Sequence, residues 1–339
     1  MRGAAGREIA VIAAVAVPVA LVLPQVIDTY TLTVLAIYAM LALSLGLVWG
    51  YGGILCFGQA AFFGLGAYGY AIGALNIGES TIAMISAVAV AAAFAAALGA
   101  MMFYGRLGDV YLAIITLVVT LILYRFMSST AGEGYVIGKA RLGGFNGIPG
   151  FPTLHVPGNP SAYIWGEALY YVCVASLVLV LVLVTLLLRS GFGRIAVGIR
   201  ENETRMSLLG YDVRARKTLL FTIGAAIAAL AGALYANWGE IVTPRLFGLT
   251  QSAEIIIWCI VGGFGTRLGP VLGAASMGYL KFLLGQQSLI DNTLVMGLIL
   301  ILVVLFLPRG LVPALAGLWN AAWQHAPVRR TQRRRRDLA

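Results

Sequence analysis

The chain has 339 residues, of which 60% are apolar and 11% are charged, and its net charge is +10. A soluble globular domain carries about 25% charged residues, so the composition excludes a soluble domain as the main body of the protein. Apolar stretches of roughly 20 residues recur along the chain. They predict an all-α polytopic membrane protein of about eight to ten transmembrane helices.

The apolar segments follow one another with short interruptions. The first, at residues 8–27, is interpreted as a retained span rather than a signal peptide because it is long and contains Pro18 and Pro24. Residues 253–261 are too short to cross alone, and an apolar pattern resumes at 271–285. This region is therefore either a re-entrant hairpin or two crossings. The remaining spans are predicted at residues 30–50, 54–77, 81–104, 110–128, 163–188, 218–238 and 292–307, and residues 240–251 are interpreted as an external loop.

Two polar regions interrupt this pattern, and a third ends the chain. Residues 129–162 form a loop rich in Gly and Pro, which turns rather than helices should order. Residues 189–217, called the charged stretch below, carry seven of the 23 Lys and Arg residues. Their composition predicts short helices with a turn at Gly210. Residues 319–339 form a basic tail that follows a predicted transmembrane domain spanning residues 1–318.

The positive charges predict the orientation. Cytoplasmic loops carry the excess of Lys and Arg, so the charged stretch and the tail should both face the cytoplasm. An even number of crossings separates the N-terminus, the charged stretch and the tail from one another, which places both termini in the cytoplasm and residues 129–162 on the outer side of the membrane. The tail is either a topology anchor or a contact for anionic membrane lipid. Nucleic-acid binding is not expected, because nothing folded or aromatic accompanies its arginines.

Two Gly-interrupted segments, one in each half, predict a transport site near the bilayer midplane. They lie at residues 53–73 and 252–274, and we expect them to lie far from the charged stretch. Broken helices of this kind are tolerated where they line a cavity. The predicted pathway residues are Phe57, Gln59, Phe62, Gly64, Gly66, Tyr68, Glu254, Trp258, Gly262, Gly263 and Gly265.

Each of these features also has a structural interpretation. Gly69 and Gly73 have the small-xxx-small spacing of close helix packing. Gln59 should find a hydrogen-bond partner inside the bundle or face a water-filled cavity. Glu254 and Lys281 are either functional residues or interfacial residues whose charged ends reach the membrane surface. The sequence leaves these alternatives open.

Signals of catalysis are missing from the sequence. Its two histidines, His155 and His325, lie in loops, and there is no His-Glu-x-x-His motif. The three cysteines have no metal-ligand spacing. A Gly-x-Gly-x-x-Gly pattern at residues 64–69 lies inside a membrane segment, where a dinucleotide-binding strand and helix would not form. We therefore expect a transport protein that binds no metal or cofactor itself, rather than a membrane enzyme.

The charged stretch and the span after it resemble LivM-type permeases, the membrane subunits of ABC importers for branched-chain amino acids. The shared pattern is a Gly-x-Gly-Arg start at 191–194, an Ile-Arg-Glu-Asn-Glu core at 199–203, the pair Leu209 and Gly210, Lys217, and Ala-Gly-Ala-Leu-Tyr-Ala at 231–236. Gly198 stands where the family usually has Ala. Residues 44–68 and 261–274 also fit the family, so the resemblance covers most of the chain.

The resemblance implies that the charged stretch docks on a cytoplasmic ATPase and transmits its closure to the bundle. It implies as partners two cytoplasmic ABC ATPase subunits, which bind ATP and Mg²⁺, a second LivH-type permease and a periplasmic substrate-binding protein. Leu208 would belong to the apolar centre of this docking surface, and charged residues would form its polar rim. The coupling residues it implies are Arg200, Glu201, Asn202, Glu203, Arg205, Met206, Leu209 and Gly210.

The substrate stays open at this stage. Residues 252–266 resemble relatives that transport urea or short amides more than the commonest branched-chain type. A zwitterionic amino acid would need helix N-termini at its carboxylate and an acid near its amine, whereas an amide would need only hydrogen bonds. The alternative from another class is a stand-alone channel or secondary carrier, which would have no use for the charged stretch.

Overall fold

The computed structural model describes residues 16–285, Ala14 and scattered positions between 295 and 312, with the backbone alone at 160 and 161. This part of the chain is a helical bundle, and six of its helices are long and apolar enough to cross a membrane. The predicted all-α polytopic class is confirmed. The helices are α1 Thr29–Leu45, α2 Gln59–Ile77, α3 Ser80–Tyr104, α4 Asp109–Ser129, α5 Glu167–Arg189, α6 Gly191–Glu201, α7 Glu203–Leu208, α8 Val213–Gly239, α9 Leu249–Gly262 and α10 Gly269–Gly285.

Several predictions fall outside the described residues. Of the predicted first span, the structure describes one short apolar helix, Ala16–Gln25. Most of the last span and all of the tail at 319–339 are not described. The total of eight to ten spans therefore stays a prediction. The bounds of the other spans are confirmed to within a few residues, except that α2 begins at Gln59 rather than at 54 and α8 begins at Val213 rather than at 218.

Helix α1 lies at the centre of the bundle. Its sequence is apolar on all sides, as expected for a helix that is surrounded by others, and it is buried along nearly its whole length. The Asp28 side chain caps it by accepting a hydrogen bond from the Tyr30 amide at 3.1 Å. At its other end the chain continues as a π-helix, Gly46–Tyr51, a rare conformation that often marks functional sites.

Small residues allow α2, α3 and α8 to pack closely against one another. A Cβ added at Gly66 would lie 2.0 Å from the carbonyl oxygen of Ala229 in α8. One added at Gly69 would lie 3.0 Å from the Cβ of Ala87 in α3, and Gly73 meets the same helix one turn further. Only glycine allows such backbone approach. The packing interpretation of Gly69 and Gly73 is confirmed.

The bundle has two distinct ends. The charged end carries the charged stretch, and the loop end carries residues 130–166 and 240–248. At the loop end the chain turns repeatedly, as predicted for residues 129–162, but it also forms short antiparallel strand pairs that the sequence did not predict. They are β1 Val136–Ile137 with β2 Ala140–Arg141, β3 Ile148–Pro149 with β6 Ile241–Val242, and β4 His155–Val156 with β5 Asn159–Tyr163.

Candidate functional site

The charged stretch folds into two short helices at the surface, as the sequence predicts. Helix α6 ends at Glu201, and the Asn202 side chain caps α7 by accepting from the Arg205 amide at 2.8 Å. Gly210 has φ of +85°, a left-handed conformation that favours glycine. Asp212 then caps α8 by accepting from the Ala215 amide. Each turn thus has a local cause in the sequence.

The side chains of this stretch divide into exposed and packed groups. Leu208 and Leu209 are 84% and 66% exposed, which is unusual for leucine and suits a docking surface. Glu203 pairs with Lys217 of α8. Met206, implied by the resemblance as a coupling residue, packs against Gly198, where an added Cβ would lie 2.9 Å from its sulfur. Met206 therefore joins α6 to α7.

Arg200 connects the charged stretch to the interior. Its guanidinium donates to the carbonyl oxygen of Gly50 in the π-helix and pairs with the Glu201 carboxylate at 2.9 Å. Its aliphatic part covers Gly53, where an added Cβ would lie 2.7 Å from Arg200 Cγ. The Gly265 Cβ position is 3.7 Å from the same guanidinium. Arg200 thus contacts the Gly-interrupted segment of the first half and lies beside that of the second half.

The expectation that these segments lie far from the charged stretch is wrong. Gly53 touches Arg200 and Gly265 lies beside it, so the breaks lie at the charged end and not at mid-depth in the bundle. The sequence separation of 150 residues between Gly50 and Arg200 conceals this contact. In the first half, the irregular part is limited to residues 52–58, and from Gln59 onward the segment is regular helix.

In the second half, α9 and α10 form a tight antiparallel hairpin. A Cβ added at Gly273 would lie 2.0 Å from the carbonyl oxygen of Trp258, and one added at Gly262 would lie 1.9 Å from that of Gly269. The connecting turn uses Gly263 and Gly265, whose φ values of +107° and +78° suit glycine. We call this turn the tip of the hairpin. It contacts the charged end, and the hairpin's base lies at the loop end.

An ion pair closes the base of the hairpin. Lys281 Nζ in α10 lies 2.6 Å from Glu254 Oε1 in α9, and the Glu254 side chain is only 10% exposed. Glu254 Oε2 is buried and has no hydrogen-bond partner among the described residues. The charged ends of these two residues therefore contact each other. Two residues that each reached the membrane surface alone would not need this contact.

The remaining predicted pathway residues are mostly packed in the core. Gln59 has the internal partner that was predicted, since its Nε2 donates to Ser44 Oγ at 2.9 Å. Phe62 is fully buried against Phe221, and Phe57 is half-buried. Gly64 faces the Phe247 ring, which also lies 5.5 Å from the Tyr68 ring. A role for them in a pathway stays a prediction.

Two polar residues beside the ion pair were missed by the sequence analysis. Arg245 and Gln251 line a cavity of about 620 Å³ together with Glu254 and Lys281. Both residues were assigned to an external loop at 240–251. In the structure α9 begins at Leu249, four residues earlier than the predicted apolar segment, so Gln251 lies in its first turn. The helix-starting pattern after Gly248 was the available signal.

These features define a class of protein. A bundle of long apolar helices, broken near a charged surface helix pair and holding a buried ion pair, has the build of a multi-pass transport permease. The family described as "Branched-chain amino acid transport system / permease component" matches residues 28–307. The chain belongs to this family of permease components.

Characterised relatives support this assignment. The chain is 31% identical over 306 residues to the high-affinity branched-chain amino acid transport system permease protein LivM of Escherichia coli strain K12, covering 85% of this chain and 70% of that protein. It is 29% identical over 124 residues to LivH of Salmonella typhimurium, covering 36% and 40%. No solved structure matches the chain.

Proposed function

We propose that this chain is a transmembrane subunit of an ATP-driven ABC importer for branched-chain amino acids and forms half of its translocation pathway. The observation that carries the proposal is the position of Arg200, which belongs to the exposed charged stretch, contacts the broken segment of the first half and lies beside the hairpin tip of the second half. A displacement of α6 and α7 by a motor subunit would reach the π-helix and the hairpin tip through this one side chain.

The proposed partners follow from the relatives and from the surface. LivM and LivH are both permeases of one kind of transport system, so a second, LivH-type permease completes the pathway. Two cytoplasmic ATPase subunits supply ATP and Mg²⁺, and the exposed Leu208 and Leu209 form the apolar centre of their docking surface. A periplasmic binding protein delivers the substrate at the loop end. The positive charges of the charged stretch orient its end of the bundle toward the cytoplasm of a bacterial inner-membrane protein.

The test uses proteoliposomes that contain the whole transporter and its binding protein. Gly210→Pro forces φ to about −65° where the native value is +85°, and Glu201→Ala removes the carboxylate that holds Arg200. We expect both variants to insert into the membrane and to lose ATP-dependent leucine uptake. Gly191→Ala is the control, since an added Cβ there meets no described atom within 4 Å.

Two outcomes would overturn the proposal. Normal ATP-dependent uptake by Gly210→Pro and Glu201→Ala would remove the coupling role of the charged stretch. Leucine uptake by the permease alone, without ATPase subunits, would instead favour a stand-alone channel or secondary carrier. Urea and acetamide are assayed in parallel, because uptake of these and not of leucine would assign the same architecture to amide import.

A further inference from the structure

A cavity at the base of the hairpin combines charges of both signs. It lies between α4, the first turn of α9 and the end of α10, and its volume of about 620 Å³ is within the range of about 300–1,000 Å³ for small-molecule sites. Arg245, Glu254 and Lys281 contribute the charges, and Gln251 contributes an amide. The family match assigns no substrate contact to any of these residues.

One side of the cavity lacks a cation. Glu254 carries two carboxylate oxygens, and Lys281 occupies only Oε1. Oε2 is buried without a partner among the described residues, and the whole residue is only 8% exposed. A buried carboxylate oxygen without a hydrogen-bond donor is unfavourable. An ammonium group in the cavity would supply the missing donor once the carboxylate turns Oε2, which has almost no accessible surface here, toward the cavity.

The adjoining side lacks an anion. No side chain among the described residues caps the N-terminus of α9 at Gly248. The first amides of a helix have no partner inside it, and the helix dipole favours a negative charge there. Arg245 lines the same cavity, and the Gln251 side-chain nitrogen is buried without a partner in the part of the chain that is described. These donors would suit a carboxylate.

The two sides are close enough for one small molecule. Glu254 lies four residues after Thr250, about 6 Å along the helix axis, and side chains in a helix lean toward its N-terminus. The Glu254 carboxylate therefore approaches the first turn. Leu121, Tyr124 and Leu249 supply the apolar part of the lining, which suits an aliphatic side chain.

We propose that this cavity is a substrate site for a zwitterionic aliphatic α-amino acid, with its ammonium on Glu254 Oε2 and its carboxylate at the α9 N-terminus near Arg245 and Gln251. The inference rests on the proposed function and names the substrate contacts within it. It also separates the two substrate classes left open by the sequence. Urea and short amides can hydrogen-bond to both sides of the cavity but carry no charge to pair with either side.

The test measures binding of tritiated L-leucine to the purified transporter complex without binding protein or ATP, by scintillation proximity. We expect saturable binding that isovalerate, isoamylamine, urea and acetamide displace poorly. Loss of a charge-assisted contact in Glu254→Gln should weaken leucine binding by at least about tenfold. The control is Glu133→Gln, which removes a carboxylate from the exposed pair with Arg141 at the same end of the bundle.

A double variant distinguishes loss of leucine binding from misfolding. Glu254→Gln with Lys281→Met removes both charges, leaves no lone buried charge, and should still fail to bind leucine. Three results would each overturn the proposed site. They are wild-type affinity in Glu254→Gln, absence of saturable binding to the wild type, and equal displacement by acetamide and leucine. If the wild type imports leucine with ATP while Glu254→Gln binds it normally, the proposed function stands and only the site fails. If it binds leucine at this site but imports none, the proposed function fails instead.

Discussion

The two ends of the α9–α10 hairpin differ in kind. Next to the tip, the backbones of α9 and α10 meet at Gly262, and the tip itself lies beside Arg200. At the base, the charged side chains of Glu254 and Lys281 meet beside a cavity. About 12 Å of helix separates Glu254 from Gly262 at 1.5 Å per residue. Tight packing between the ends leaves little room for sliding, so we expect movement of the tip to shift the base.

The largest effect should come from separating the two helices. Gly273→Val places a branched side chain where even a Cβ would lie 2.0 Å from the Trp258 carbonyl oxygen. Overpacking against backbone should cost about 3 kcal/mol or more and disrupt both ends together. Size-exclusion chromatography in detergent should show little monodisperse protein. Gly134→Val is the control, because its Cβ position meets no described atom within 4 Å; equal recovery of the two variants would contradict the close packing.

The next effect concerns the tip alone. Arg200→Ala removes the contacts to Gly50 and Gly53 and the guanidinium beside Gly265. Since couplings between sites are typically about 1–3 kcal/mol, leucine uptake should fall by about tenfold or more while the protein remains monodisperse. Arg194→Ala is the matched variant on the same helix, where the guanidinium only reaches the Arg189 carbonyl. Similar uptake losses in both would assign the effect to surface charge rather than to the tip.

A smaller effect should distinguish the base. Lys281→Met leaves the buried Glu254 carboxylate without its partner, which should cost about 1–3 kcal/mol. The double variant Lys281→Met with Glu254→Gln should be closer to the wild type, because no unpaired charge remains. Melting temperatures of the detergent-solubilised complex compare the two. A double variant less stable than the single one would show that the pair contributes net stability.

The smallest effect is expected for an exposed ion pair that belongs to neither end of the hairpin. Glu133→Gln breaks the pair with Arg141, in which the Glu133 side chain is 93% exposed and the Arg141 side chain 56% exposed. Exposed pairs contribute about 1 kcal/mol or less, so melting temperature and leucine uptake should stay near wild-type values. A large loss of uptake with unchanged stability would instead place Glu133 in the contact with the binding protein.

Local patterns made much of the fold predictable. The apolar runs gave helices within one residue of α3 and α4, because a lipid-facing or buried helix must be apolar over its length. The turn at Gly210 was also predictable, since the flanking composition and glycine's tolerance of positive φ act within a few residues. The starts of α2, α8 and α9 were less accurate. Gly58, before α2, packs against Thr116; α8 extends back to its cap at Asp212; and α9 begins directly after Gly248.

The candidate site was harder to predict. Glu254 and Gln59 stood out as polar residues among apolar neighbours, which drew attention to them correctly as residues that need partners. Their partners, Lys281 and Ser44, could not be inferred, because the pairing depends on which helix faces lie together. Arg245 and Gln251 were overlooked because an external loop explained their polarity.

The sequence by itself therefore determined the class of protein, the helical composition, the charged stretch and the family resemblance, all of which depend on composition and on short-range pattern. Only the tertiary structure decided that Arg200 lies on the breaks of both halves and that Glu254 shares a cavity with Arg245 and Lys281. The physical reason is distance along the chain. Arg200 and Gly50 are 150 residues apart, and only the packing of several helices brings them into contact.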